Sequence, residues 1–210
     1  MLAEKIEGHL FNVIYYSIFS YWGWFVCKDE VWMPKFLWGE GSFEVSAKNM
    51  PFVDCNPNIL TLGFISFGLR VEHLIRHLLY NRGNNDFEEM LLHDVVTVFL
   101  FFGYIFSNLL PVGTMVAIVH DVCDIPGHLS KMLHSSTYSA ISIIPFLTVQ
   151  IMWVKFRLYC LPILIYHVYH MRYPEDRSQF QPFMWINVIF LSTLLCMHII
   201  WFGMFQRLNM

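Results

Sequence analysis

Charge is scarce in this chain: Asp, Glu, Lys and Arg make up 14% of 210 residues, against 56% hydrophobic and 18% aromatic side chains. A typical soluble domain carries about 25% charged residues, so the shortage excludes an ordinary water-soluble fold and points to the bilayer as solvent. There is no Lys/Arg run, and the formal net charge is -3. Nucleic acid is thereby excluded as a partner, since phosphates demand a basic surface. The five cysteines, Cys27, Cys55, Cys123, Cys160 and Cys196, are scattered with no CxxC pair. That spacing fits no disulfide framework and reads as small core residues in a reducing setting. Repeats and low-complexity tracts are lacking too. The N-terminus from Met1 to His9 has neither the basic region nor the small-residue cleavage site of a signal peptide, so the first hydrophobic run is expected to stay.

What is present is a series of apolar runs near 9–27, 58–80, 88–109, 111–133, 138–170 and 182–206. A hydrocarbon core of ~30 Å needs about 20 such residues, and the pattern predicts one all-α integral membrane domain. The run over 138–170 is too long for one perpendicular crossing. Either it is one tilted helix kinked at Pro162, whose ring opposes the Leu158 carbonyl, or it turns near Lys155 to Arg157 into two short segments. The one long connection, Lys28 to Pro57, holds Trp32, Pro34, Trp38, Gly39, Gly41 and Pro51 and predicts an ordered interfacial flap. Lys5, Arg82, Lys131 and Arg207 fall on one face, and Lys28, Lys35, Lys48, Arg172 and Arg177 on the other. That near-tie assigns no orientation.

Ionisable side chains inside the spans carry the chemistry, because a charge in a membrane needs a partner or a task. On a helix, His120 and Asp124 are four apart and Asp121 and Asp124 three apart, so they overlap on one face. His128 extends that stripe, although Pro126 perturbs the register beyond Asp124. With His93 on the preceding span, the stripe could line a buried chamber. An imidazole can attack a thioester to give an acyl-imidazole that an amine displaces, while carboxylates orient the ring and take protons. His93, His120, Asp124, His128 and His198 also offer ligands suited to zinc or iron. Their spacing matches no tight metal motif, and no metal or other bound cofactor is expected.

The run His93 to Asn108 followed by Val112 to Lys131 resembles the signature of the TLC-domain family, which includes ceramide synthases. His93, Thr97, Tyr104, Asn108, Gly113, His120, Asp121, Asp124 and Lys131 stand at the family's spacing. Asp86-Phe87 and Met90 precede it, Arg157 and Pro162 follow, and Met197 to Phe202 resembles the family's Leu-His-x-x-Trp ending. The resemblance covers almost the whole chain and implies six transmembrane helices in a barrel around a polar cavity. It also implies acyl transfer from a long-chain acyl-CoA, as co-substrate, to a sphingoid-base amine in the endoplasmic reticulum. The catalytic residues implied are His93, Asp94, His120, Asp121 and Asp124. Tyr104, Asn108, Lys131, Arg157 and His198 are implied on the substrate side.

The chain departs from the family pattern in three places. Asp94 replaces the second of two adjacent histidines and need not touch His93, because neighbours one apart on a helix do not face each other. Gly127-His128 replaces Leu-Glu. The span over 58–80 carries Arg70, Glu72, His73, Arg76 and His77 where relatives are mostly uncharged. Glu72 and Arg76 can pair, and Arg70, His73 and His77 share a face. They suit a lipid headgroup, a CoA phosphate or a protein neighbour, or they snorkel to the surface, as Arg157 could. His198 reads as a packing residue near the interface or as part of the cavity wall. Two functions stay open: the transferase, and a non-catalytic TLC-fold protein. The latter would be a lipid-binding factor or an accessory subunit among other membrane subunits, for example in the mitochondrial inner membrane.

Overall fold

A computed structural model describes residues 2–43, 45, 55–83, 86–136, 139–173 and 175–207. Lys48 and Pro51 lie outside the described residues, as does the side chain of Arg177. The chain folds into helices α1 (Leu2–Cys27), α2 (Pro57–Tyr80), α3 (Phe87–Phe106), α4 (Leu110–His134), α5 (Ile143–Met152), α6 (Leu161–His170) and α7 (Gln181–Arg207). A π-helical stretch, Trp153–Cys160, joins α5 to α6 without a break, so these three form one rod. The long run is therefore continuous, and the turn near Lys155 to Arg157 is absent. Pro162 sits in the first turn of α6, where the wider π coil upstream spares its ring the usual clash.

Local chemistry sets the ends. Asn56 caps α2 by accepting the Asn58 N–H at 3.0 Å, with Pro57 at the first helical position. Glu88 and Glu89 lie in the first turn of α3, at the positive end of its dipole. Asn108, at φ 52°, stops α3: the Leu109 N–H reaches the Tyr104 carbonyl at 2.8 Å and the Asn108 N–H the Ile105 carbonyl at 3.3 Å. That bonding is a Schellman ending, with Asn in the left-handed position usually held by Gly. Pro126 does not break α4, which runs on to His134 and keeps the register of His128.

Three stretches are long and apolar enough to cross a membrane: Phe87–Phe106, Ala140–His170 and Ser178–Arg207. Helices α2 and α4 fall outside that set because they hold the charges, among them Arg70, Glu72, Arg76, Asp121 and Asp124. Packing runs from α1 to α2, α2 to α3, α3 to α7, α7 to the α5–α6 rod, that rod to α4, and α4 back to α1. The rods thus close a ring. Buried apolar side chains from α3, α4, α6 and α7 form its core. The flap is ordered over residues 28–43 as a cap with Trp32, Met33, Leu37 and Phe43 buried. Phe43 stacks on His167 at 4.8 Å, and Trp38, at φ 65°, packs on Phe156 at 5.5 Å. Gly39 and Gly41 are required there, since a Cβ at either would overlap the backbone of Met33 or Val31.

Candidate functional site

The ring encloses a cavity of about 540 Å³. On α3 the wall residues recur every three or four positions, His93, Asp94, Thr97, Leu100, Phe101 and Tyr104, as one helix face must. Facing them, α4 supplies Val112, Gly113, Val116, His120, Asp124 and Lys131, and α7 supplies Asn187, Leu191, Leu194 and Trp201. The wall is mostly apolar toward Tyr104, where Asn187 lies beside Gly103 and Arg70 beside Phe101, and polar at the other end, where Asp86, Glu89, His73, His128 and Lys131 gather.

Helix α4 is pinned on two sides. Asp121 pairs with Arg70 of α2, whose other guanidinium nitrogen Nη1 donates to Tyr16 Oη of α1 at 3.0 Å. Asp124 pairs with Arg157 of the π stretch, whose guanidinium lies 4.2 Å from the centre of the Trp153 ring. Three positions correspond to roughly 300° of helix turn, leaving the two carboxylates about 60° apart and able to serve different neighbours. Neither arginine snorkels: Arg157 is buried, and the Arg70 side chain is 11% exposed. Glu72 and Arg76 do pair across one exposed turn.

The histidines differ in what they leave free. His120 Nδ1 lies 2.7 Å from the Val116 carbonyl, which can only accept, so Nδ1 carries the proton. His120 Nε2 then accepts from His198 Nε2 at 2.9 Å. His198 Nδ1 faces Arg157 Nη1 at 3.5 Å, and Trp153 Nε1 donates to the His198 carbonyl at 3.1 Å. Both rings are spent on this network. His93 is different: Nδ1 meets Asp94 Oδ1 at 3.4 Å, and Nε2 has no hydrogen bond among the described residues. Adjacent residues on α3 thus do touch, because both side chains lean toward the cavity. Thr97, one turn further along, has a buried hydroxyl with no hydrogen-bond partner among the described residues. His128 stacks on Tyr16 at 5.5 Å and meets His9 nitrogen to nitrogen at 3.2 Å.

Of the residues singled out from sequence, His93, Asp94, Tyr104, His120, Asp124, Lys131 and Arg157 line the cavity. Asp121 faces Arg70 behind the wall, His198 is fully buried behind His120, and Asn108 forms the α3–α4 turn. Tyr16 and Trp153 complete the network without having been assigned a site role from sequence, and Arg70, read there as suiting a headgroup, a CoA phosphate or a protein neighbour, pairs instead with Asp121. A basic residue inside an apolar span was the available signal for Arg70. Among the described residues, no group of three or more His, Cys, Asp or Glu side chains converges as a metal ion requires.

Ceramide synthase 4 of Homo sapiens is similar to this chain, 24% identical over 181 residues that cover 86% of the chain and 43% of that protein. Ceramide synthase hyl-2 of Caenorhabditis elegans is 25% identical over 165 residues, covering 73% and 50%. The chain spans about half the length of these relatives. No solved structure matches it. The TLC domain family matches from residue 5 to residue 207, nearly end to end, and the chain belongs to that family.

Proposed function

We propose that this protein is a ceramide-synthase-like N-acyltransferase that moves an acyl group from a long-chain acyl-CoA to a sphingoid-base amine inside the membrane. All six rods cross the bilayer in this reading, in the endoplasmic reticulum, with Arg70 of α2 and the Asp121 and Asp124 side of α4 turned inward and the Glu72–Arg76 pair of α2 turned outward. One observation carries it: His93 is the cavity histidine whose Nε2 is free while a carboxylate stands at its Nδ1. Asp94 holds the Nδ1 proton and leaves the Nε2 lone pair facing the chamber. That lone pair attacks the thioester carbonyl carbon, the C–S bond breaks, and CoA leaves as its thiolate. The amine then attacks the acyl-imidazole, the C–N bond to His93 breaks, and the ammonium proton passes to the released imidazole. His120, His198, Arg157 and Asp124 hold the wall that presents His93. The test is transfer by purified protein given acyl-CoA and a sphingoid base. N-acyl product is expected from wild type and none from His93→Ala, while equal product from both would refute the role of His93.

A second reading rests on the two arginine pairs. Arg70 and Arg157 occupy both carboxylates to which proton transfer was assigned from sequence. A non-catalytic protein holding a resident lipid, alone or as a subunit of a larger membrane assembly, would tolerate that. Stoichiometric lipid surviving purification, with no product, would favour it.

A further inference from the structure

We infer that Tyr104 is the floor of an acyl-chain compartment and sets the longest chain the cavity accepts. The inference rests on the reading that an acyl chain occupies the cavity, not on whether that chain is transferred. Tyr104 lines the end of the cavity remote from the charged residues Asp86, Glu89 and Lys131. It also lines a separate void of about 10 Å³ among α1, α2 and α4, bounded by Phe19, Leu62, Ser66, Thr114 and Asp121. The ring is therefore the partition between two spaces.

Its position is fixed from both sides. A Cβ on Gly63 would come within 2.7 Å of the Tyr104 hydroxyl, and one on Gly113 would overlap the ring. The Phe101 ring meets it edge-on at 5.2 Å. Tyr104 is 5% exposed, and the glycines of α2 and α4 leave room for this one ring orientation. A floor built this way does not yield to a chain that is too long.

The depth follows from α3 itself. His93 and Tyr104 lie on one face of the helix, and at 1.5 Å per residue they are separated by about 16 Å. Carbon–carbon bonds of about 1.5 Å advance an extended chain by roughly 1.3 Å per carbon, giving about 12 carbons between the two levels. Leu100, Val112, Val116, Leu191 and Leu194 make most of that interval apolar, as a saturated chain requires, while Arg70, Thr97, His120 and Asn187 are the polar residues that also line it.

The experiment is equilibrium binding of free saturated fatty acids of graded length to the purified full chain, by displacement of a fluorescent fatty acid. In wild type, affinity is expected to rise with each carbon up to roughly 12 to 14 and then to level or fall. Tyr104→Ala opens the partition, and the limit moves up by about four carbons, with at least ~10-fold tighter binding of the longer acids. Val116→Phe fills the shaft above the floor, and its limit moves down by a similar amount, which keeps the test decisive if Tyr104→Ala does not fold. Identical length limits in wild type and in every folded variant would overturn the inference. Shifted limits without acyl transfer would leave the floor standing and remove the transferase reading, and transfer with unshifted limits would do the reverse.

Discussion

His120 and His198 meet nitrogen to nitrogen at 2.9 Å, and that contact fixes the tautomers of both rings. His120 must accept there because its other nitrogen donates to Val116. The pair joins α4 to α7, which otherwise meet mainly through the α5–α6 rod. His120→Ala and His198→Ala should therefore be strongly non-additive, with a coupling of about 0.5–3 kcal/mol in a double-mutant cycle. Unfolding of the four proteins in one detergent measures it, and simple additivity would mean the contact carries no stability.

The buried arginine pairs lead to a second expectation. Arg157→Met leaves Asp124 charged and unpartnered in the wall, at a cost of about 3–5 kcal/mol. Arg157→Met combined with Asp124→Leu removes both charges and should restore most of that loss. Denaturation midpoints of the two variants decide the matter. If the double variant is no more stable than the single one, the pair is not the reason for the loss.

How much of this was legible in sequence depends on whether the information is local. Five of the six apolar runs place their rods to within about five residues, because hydropathy and caps are local signals, while α1 starts at Leu2, ahead of the run that begins near residue 9. The stripe of His120, Asp121 and Asp124 is visible by spacing, but its partition between Arg70 and Arg157 is not, since the partners come from other helices. His198 reads equally well as interfacial packing, because nothing beside it in the chain shows that the α7 face it occupies meets His120. Asn108 matches the family signature, but its left-handed ending of α3 is a backbone property that residue identity alone only hints at. The π stretch is the least legible feature: Lys155, Arg157 and Pro162 signal an irregularity without revealing that a wider coil absorbs it.

The cap offers a backbone prediction. Gly41→Ala would drive a Cβ into the Val31 carbonyl region, where Gly41 N–H now bonds the Met33 carbonyl at 2.8 Å. The cap should open, and limited proteolysis should cut within residues 28–43 several times faster than in wild type. Unchanged cleavage would show that the cap tolerates the side chain.

Tyr173, in the connection between α6 and α7, gives a pH dependence. Burial pushes its phenol up to about 12 from an ordinary 10, and its hydroxyl has no hydrogen-bond partner among the described residues. The folded state therefore keeps a proton that the unfolded chain releases, and stability must fall as pH rises from about 10 to about 12. Tyr173→Phe should flatten that part of the curve. The difference between the two unfolding profiles over this range isolates the group, and parallel profiles would contradict its burial.

The central claim is that His93 accepts the acyl group, and intact mass after incubation with a long-chain acyl-CoA tests it most directly. The account predicts a gain of one acyl group in wild type, absent in His93→Ala and discharged on adding a sphingoid base. No adduct at any chain length on folded wild-type protein, or an adduct that survives in His93→Ala, would contradict it.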